Sequence, residues 1–296
     1  MDATDKTVPR AWLESGIEAG RLAGAVLMRW RSRFSIREKG LNDLVTDADL
    51  ESQRTIVEFL SGRFPGHAFL GEEGGSEEKD PGPSAPPTWI IDPVDGTSNY
   101  AHDFPFYCVS IGLQVAGELV LGVVYDPVRD EMFSASAGQG AFLNGRRIRV
   151  TPTEHLNRAM VTTGFPYDCK EKEFLFDWWR HFSVAARALR RTGSTALHLA
   201  YVACGRADMF YAFDSHAWDV AAVAAQGARA AIGDLEVVVV LQEVDEHVDV
   251  GRRVVDDQDA GAPGTGERGC RHQADGMPAA RSARIARITV RACSKS

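Results

Sequence analysis

WIIDPVDGTSNY, Trp89–Tyr100, sets Asp92 and Asp95 three residues apart, with Pro93 after the first and Gly96-Thr97 after the second. The apolar run TWII that leads into it predicts a short buried strand ending at the motif. Pro93 stiffens the turn, so that both carboxylates and the Val94 carbonyl can face one point. Gly96 has no side chain to keep an anion from the backbone, and the Thr97 amide begins a helix whose positive end favours one. Taken alone the stretch is also an ordinary turn, because Asp, Pro and Gly are the residues turns use.

Other acidic residues weigh against the turn. Glu72 and Glu73 stand in LGEEGG, and Asp219 stands in AWDVAA, each where a strand or loop meets a helix. Singly, a Glu pair in a glycine-rich loop is a solvated turn, and Trp-Asp before an alanine-rich helix is an N-cap. Together, carboxylates from separate element ends form the oxygen-donor set of a hard divalent cation such as Mg²⁺, and such a cation can clamp a phosphate.

Composition narrows the partners. The chain has 296 residues, is 44% hydrophobic and carries a formal net charge of −8. It is long enough for a sizeable core, and its charge disfavours nucleic acid, whose binding relies on Lys and Arg against phosphates. A small anionic substrate stays open if a metal supplies the positive charge. Cys108, Cys169, Cys204, Cys270 and Cys293 are odd in number and form no C-x-x-C pair, which predicts reduced thiols and a cytoplasmic location. The opening MDATDKTVPR has no apolar leader, and no apolar run reaches the ~18 residues of a membrane span.

Along the chain, Pro9 precedes an amphipathic helical pattern through Leu13, Ile17, Gly20, Gly24, Leu27 and Met28. Residues 43–61 predict a second helix, with Thr46 as N-cap, Asp49 at its third position, and Gly62 and Pro65 as stops. From Phe106 the strand-like segments FYCVSIGLQV, ELVLGVVY, EMFSA, GAFL and RRIRV alternate with turns, Asn144-Gly145 being the strongest hairpin signal, and predict an antiparallel meander. FLFDWWRHFSVAARAL is helix-like and DMFYAF strand-like. After Trp218 none of the 26 aromatic residues remains, and residues 219–296 hold nine Arg but one Lys, Lys295. That shift predicts a change of reading frame or unrelated sequence from near Val223, with EVVVVLQEV and RIARITV as possible strands and disorder over about 251–285.

The segments KGLNDLVTDAD, LGEEGG, WIIDPVDGTSNYAHDFPFYCVSIGL and AWDVAA, in that order, resemble the inositol monophosphatase family of Mg²⁺-dependent, lithium-sensitive phosphatases. The resemblance runs from about residue 10 to about residue 222. It implies a phosphatase domain over residues 1–222, an atypical segment over 223–296, and an α/β layered αβαβα sandwich of the inositol monophosphatase and fructose bisphosphatase type, with two sheets sharing one cleft. Carried over by position, it makes Glu72, Asp92 and the Val94 carbonyl ligands of one metal, and Asp92, Asp95 and Asp219 ligands of a second. Thr97 and Glu72 would orient the attacking water, with Asp49 holding the Thr97 hydroxyl. The Gly96 and Thr97 amides would hold the phosphate, and Gly193, Ser194 and Thr195 of TGSTA would line the alcohol side. The implied partner is a small phosphomonoester, cleaved by water activated by the metal with no phosphoenzyme, and the implied assembly is a homodimer.

Two departures stand against the family pattern. Ala212 occupies the position seven before Asp219 where members acting on inositol phosphate carry Glu, which leaves histidinol phosphate and other sugar or nucleotide phosphates open beside inositol monophosphate. After WDVAA the family's final helix, turn and strand are not recognisable. Two rivals follow. A haloacid dehalogenase-type phosphatase uses D-x-D-G-T, with one residue between the aspartates; here there are two. The other is a catalytically impaired relative that binds a phosphate ligand and has a disrupted C-terminal part.

Overall fold

The first helix, α1 (Arg10–Trp30), starts directly after Pro9, which stands at the N-cap with ψ 127°, one position before the first helical residue. The computed structural model describes residues 8–31, 33, 36–40, 43–73, 84–166, 169, 172–213, 218–219, 221–222 and 238–240. The buried face of α1 is a run of small residues, Gly16, Ala19, Gly20, Ala23 and Gly24, ending on Val26 and Leu27, whereas Met28 is exposed. Leu13 and Ile17 of the predicted stripe are half-buried against the same core, so only Met28 leaves it, and the small residues let the helix lie close against Val123 and Tyr125 of the sheet.

A hairpin of β1 (Ile36–Gly40) and β2 (Asp43–Thr46) leads into α2 (Asp47–Arg63). Residues 43–46 are thus strand, not the start of the predicted helix. Thr46 is the N-cap: its hydroxyl accepts from the Ala48 amide, and Asp49 accepts from the Thr46 amide, closing a capping box. The chain then forms β3 (Ala68–Gly71), β4 (Thr88–Asp95) and the five-residue α3 (Thr97–Ala101). β4 does not stop at Ile91; it continues through the motif with a register shift between Asp92 and Asp95. Pro93 has no amide to give a ladder, and the irregularity accommodates it.

The meander is present as β5 (Cys108–Val115), β6 (Glu118–Asp126), β7 (Glu131–Ser136), β8 (Gly140–Leu143) and the short β9 (Arg146–Arg147), all antiparallel neighbours. Asn144 and Gly145 take φ of 47° and 75°, the paired left-handed residues of a two-residue hairpin. Of RRIRV only the first two residues are strand. β10 (Met160–Thr163), α4 (Phe174–Ala185), β11 (Ala188–Arg190), α5 (Thr195–Ala203) and β12 (Met209–Phe213) follow. The helix-like stretch from Phe174 therefore ends at Ala185 and gives way to a strand. β13 (Val238–Val240), inside EVVVVLQEV, pairs in parallel with β12. RIARITV and the span 251–285 lie outside the described residues.

Strand alternation builds the layers. One face of the seven-stranded sheet, with Trp89, Ile91, Ile111, Leu113, Leu121 and Val123, packs on α1 and α2. Its opposite face, with Cys108, Val124 and Phe133, packs on α5, which also meets Phe210 and Ala212 of the four-stranded sheet. The outer face of that sheet, with Val161, Tyr211 and Phe213, packs on Leu175 and Phe182 of α4. The order helix, sheet, helix, sheet, helix is the αβαβα sandwich that the motifs imply. No helix among the described residues is long and apolar enough to cross a membrane.

The turn after β6 depends on one buried charge. Asp126 is fully buried and accepts from the Val128 and Arg129 amides at 2.9 and 3.1 Å and from the Arg129 guanidinium at 2.7 Å. Asp126→Ala leaves all three donors without that acceptor and is expected to cost about 3 kcal/mol of stability. Urea denaturation of the two proteins measures the difference.

Candidate active site

The quoted motif sits at the end of β4, where the ladder breaks and both aspartates are buried. One carboxylate oxygen from each of Asp92, Asp95 and Asp219 falls within 4.8 Å of the others. Asp92 and Asp95 come from one strand, whereas Asp219 arrives on the helical residues 218–219 and 221–222 across the cleft. Glu72, just past β3, makes a side-chain hydrogen bond with Asp92. Burial first, then the carboxylates of Glu72, Asp95 and Asp219, push the Asp92 carboxyl well above its ordinary value. A cluster of oxygen donors in mutual repulsion, two of them buried and Asp219 half-buried, fits a hard divalent cation, whose charge would offset that repulsion.

Asp95 is held differently. Its Oδ2 accepts from the Ser194 hydroxyl at 2.5 Å and the Ala196 amide at 2.6 Å, and its Oδ1 from the Thr195 amide at 3.0 Å. Burial raises its carboxyl, while these bonds favour the ionised form. The α5 N-terminus thus fixes the carboxylate from about a hundred residues away in sequence. Gly193 instead borders a cavity of about 310 Å³, lined also by Gly96, Ser98, Phe165, Pro166, Cys169 and Arg191. Gly96, at φ 99°, adopts the left-handed backbone as cap of α3, a conformation that suits glycine.

Thr97 is buried, and its hydroxyl lies 3.0 Å from the Val94 carbonyl and 3.3 Å from Asp49 Oδ1. A single hydroxyl proton therefore faces two acceptors. Asp49 itself is fully buried at the start of α2, where its other oxygen serves the Thr46 cap.

The same face of α2 carries two residues the sequence reading missed. Ser52 donates to the Pro93 carbonyl at 3.1 Å, and Gln53 brackets the Glu73 backbone, accepting from its amide at 2.9 Å and donating to its carbonyl. Positions 49, 52 and 53 fall on one side of a helix, so one element props the motif and the glutamate loop together. Polar residues at that spacing are indistinguishable in sequence from a solvated face. Asn99 and His198 were also missed. Asn99 Nδ2 donates to the Phe106 and Thr192 carbonyls at 2.7 and 2.6 Å, tying α3 to the loop before α5. His198 is buried, its pKa lowered to about 3 by burial, so the neutral ring can accept at Nε2 from Thr192. Gln53→Ala is expected to weaken divalent-cation binding roughly tenfold by freeing the glutamate loop; calorimetric titration of both proteins with Mg²⁺ checks it.

The chain matches the model of the inositol monophosphatase family over residues 9–225. It is 42% identical over 216 residues to the Nus factor SuhB of Pseudomonas aeruginosa, covering 71% of this chain and 79% of that one. It is 38% identical over 224 residues to an inositol monophosphatase of Dictyostelium discoideum, with the same coverage of 71% and 79%. Among solved structures, the extragenic suppressor protein SuhB from Bartonella henselae superposes with a TM-score of 0.69 at 37% identity, covering 74% of this chain and 85% of that one. The inositol monophosphatase from Anabaena gives 0.65 at 37% identity over 75% and 82%. With the layered fold, the acidic cluster and the ordered motifs in agreement, the chain belongs to the inositol monophosphatase family.

Proposed function

We propose that the protein is a Mg²⁺-dependent phosphomonoesterase acting on a small phosphorylated alcohol. The observation that carries this reading is the convergence of Asp92, Asp95 and Asp219 from two separate elements onto one point. In this reading Glu72, Asp92 and the Val94 carbonyl hold one Mg²⁺, and Asp92, Asp95 and Asp219 a second. When bound, the metal supplies positive charge to the phosphate and to the departing alkoxide and makes a coordinated water more acidic.

The chain's own groups do the remaining work. Thr97 Oγ1 has its proton engaged by Asp49 and Val94, so its lone pairs accept from the attacking water and turn that water's own lone pair toward phosphorus. Glu72 shares that orienting task. The Gly96 and Thr97 amides bind the phosphate oxygens, and Gly193, Ser194 and Thr195 border the alcohol side, with Ser194 and Thr195 also holding Asp95 in register. Attack in line breaks the ester P–O bond, and the alcohol leaves with inorganic phosphate as the other product.

Residues 1–222 are the catalytic unit in this account, and 223–296 an additional segment, a division supported by the end of the family match at residue 225. The cavity beside Gly96 is the alcohol pocket, and Ala212 removes one carboxylate from the family pattern. Inositol monophosphate, histidinol phosphate and sugar or nucleotide phosphates are the substrate panel. We expect phosphate release from at least one of them at saturating Mg²⁺, compared as kcat/KM. Cation binding without release from any would favour the impaired, ligand-binding alternative.

A further inference from the structure

Asp92 and Asp95 share a strand, but Asp219 is brought to them by another element, so the distance between sheet and helix sets the geometry of the cluster. Two glycines lie under that helix. Gly112 of β5 pairs with Gly122 of β6 on one side and with Ile90 of β4 on the other, and Asp92 pairs with Ser110, two residues before Gly112. A Cβ on Gly122 would stand 1.7 Å from the Ala222 carbonyl oxygen and 2.5 Å from its carbon. One on Gly112 would stand 2.9 Å from the Ala221 Cβ. Two residues before Gly112, the Ser110 hydroxyl donates to the Trp218 carbonyl at 3.2 Å, the peptide directly before Asp219.

We propose that Gly112, Gly122 and Ser110 form a seat that sets the depth of Asp219, and that they are positioning residues for the cation site. The inference rests on the reading that Asp92, Asp95 and Asp219 hold a divalent cation. Bare backbone at the glycine pair lets the helix backbone settle onto the strands, and the Ser110 bond fixes it there. Glycine within a strand has no side chain to pack and marks such a close approach. An added methyl at Gly122 forces the Ala222 carbonyl from 1.7 Å to at least 3.0 Å, so the helix must retreat by more than 1 Å. Metal–oxygen distances tolerate far less: about 2.0–2.1 Å is demanded by Mg²⁺.

The test uses the full chain and Mn²⁺ as the probe, its binding followed by the electron paramagnetic resonance of the free ion, with melting in EDTA to establish that each variant is folded. Gly122→Ala is expected to weaken Mn²⁺ binding by roughly tenfold or more, and Gly112→Ala by a smaller factor of roughly threefold. Adding Ala221→Gly to Gly112→Ala removes the nearest contact, leaving backbone approaches of 3.1 and 3.2 Å, and should recover part of the lost affinity, a rescue that general destabilisation would not produce. Gly62→Ala, where a Cβ meets nothing within 4 Å, should bind as wild type. If Gly122→Ala does not fold, Gly112→Ala and its rescue decide the matter. Wild-type affinity in the folded glycine variants, with Asp219→Asn weakened, would overturn the seat alone. Wild-type affinity in Asp219→Asn, or no Mn²⁺ binding by the wild type, would overturn the cation reading and the seat with it.

Discussion

Asp95→Asn is expected to lower phosphate release by roughly 10³-fold, the factor that about 4 kcal/mol of lost transition-state stabilisation produces. Asn is nearly isosteric and keeps an oxygen for the Ser194 hydroxyl and the Ala196 amide, while its own amide nitrogen replaces the oxygen that accepts from Thr195. The full negative charge in the acidic cluster is what disappears. Because the carboxylate is buried among other carboxylates, removing it relieves repulsion that offsets the lost Thr195 bond, and the variant should still fold without metal. Steady-state kinetics at saturating Mg²⁺ together with metal-free melting separate the two effects. Turnover near that of the wild type would contradict the assigned metal site.

Thr97→Ala should lower kcat by roughly 10²-fold while changing KM little, because the phosphate is held by backbone amides that the substitution leaves in place. The hydroxyl's ties to Asp49 and Val94 fix the direction of its lone pairs, and that direction is lost with it. Asp49→Asn should act in the same sense and more weakly, since Val94 still accepts the Thr97 proton. A rise in KM with kcat unchanged in both variants would contradict the orienting role.

Much of this site is legible in sequence where the signal is local. Thr46 and Asp49 stand at the spacing of a capping box, and the structure uses them so. Asn144-Gly145 forms the hairpin its residue types dictate. Asp92 and Asp95 are recognisable because Pro93 and Gly96 punctuate them. The continuation of β4 past Pro93 was hidden, because proline ordinarily ends a strand and only the irregular pairing with β5 accommodates it. The hold on Asp95 by Ser194, Thr195 and Ala196 was hidden by separation along the chain, since nothing near Asp95 names its partners. Gly112 and Gly122 carry no pattern in sequence; their meaning appears only when a helix lies on them.

On the proposed reading, ester hydrolysis depends on a divalent cation held by the Asp92, Asp95 and Asp219 cluster. The most direct measurement is the initial rate of phosphate release from the best substrate of the panel as Mg²⁺ is titrated into metal-free protein, for the wild type and for Asp92→Asn. The expected result is no release without metal, saturable activation in the wild type, and loss of that activation in Asp92→Asn. Release that persists undiminished in excess EDTA, or equal activation in both proteins, would contradict it.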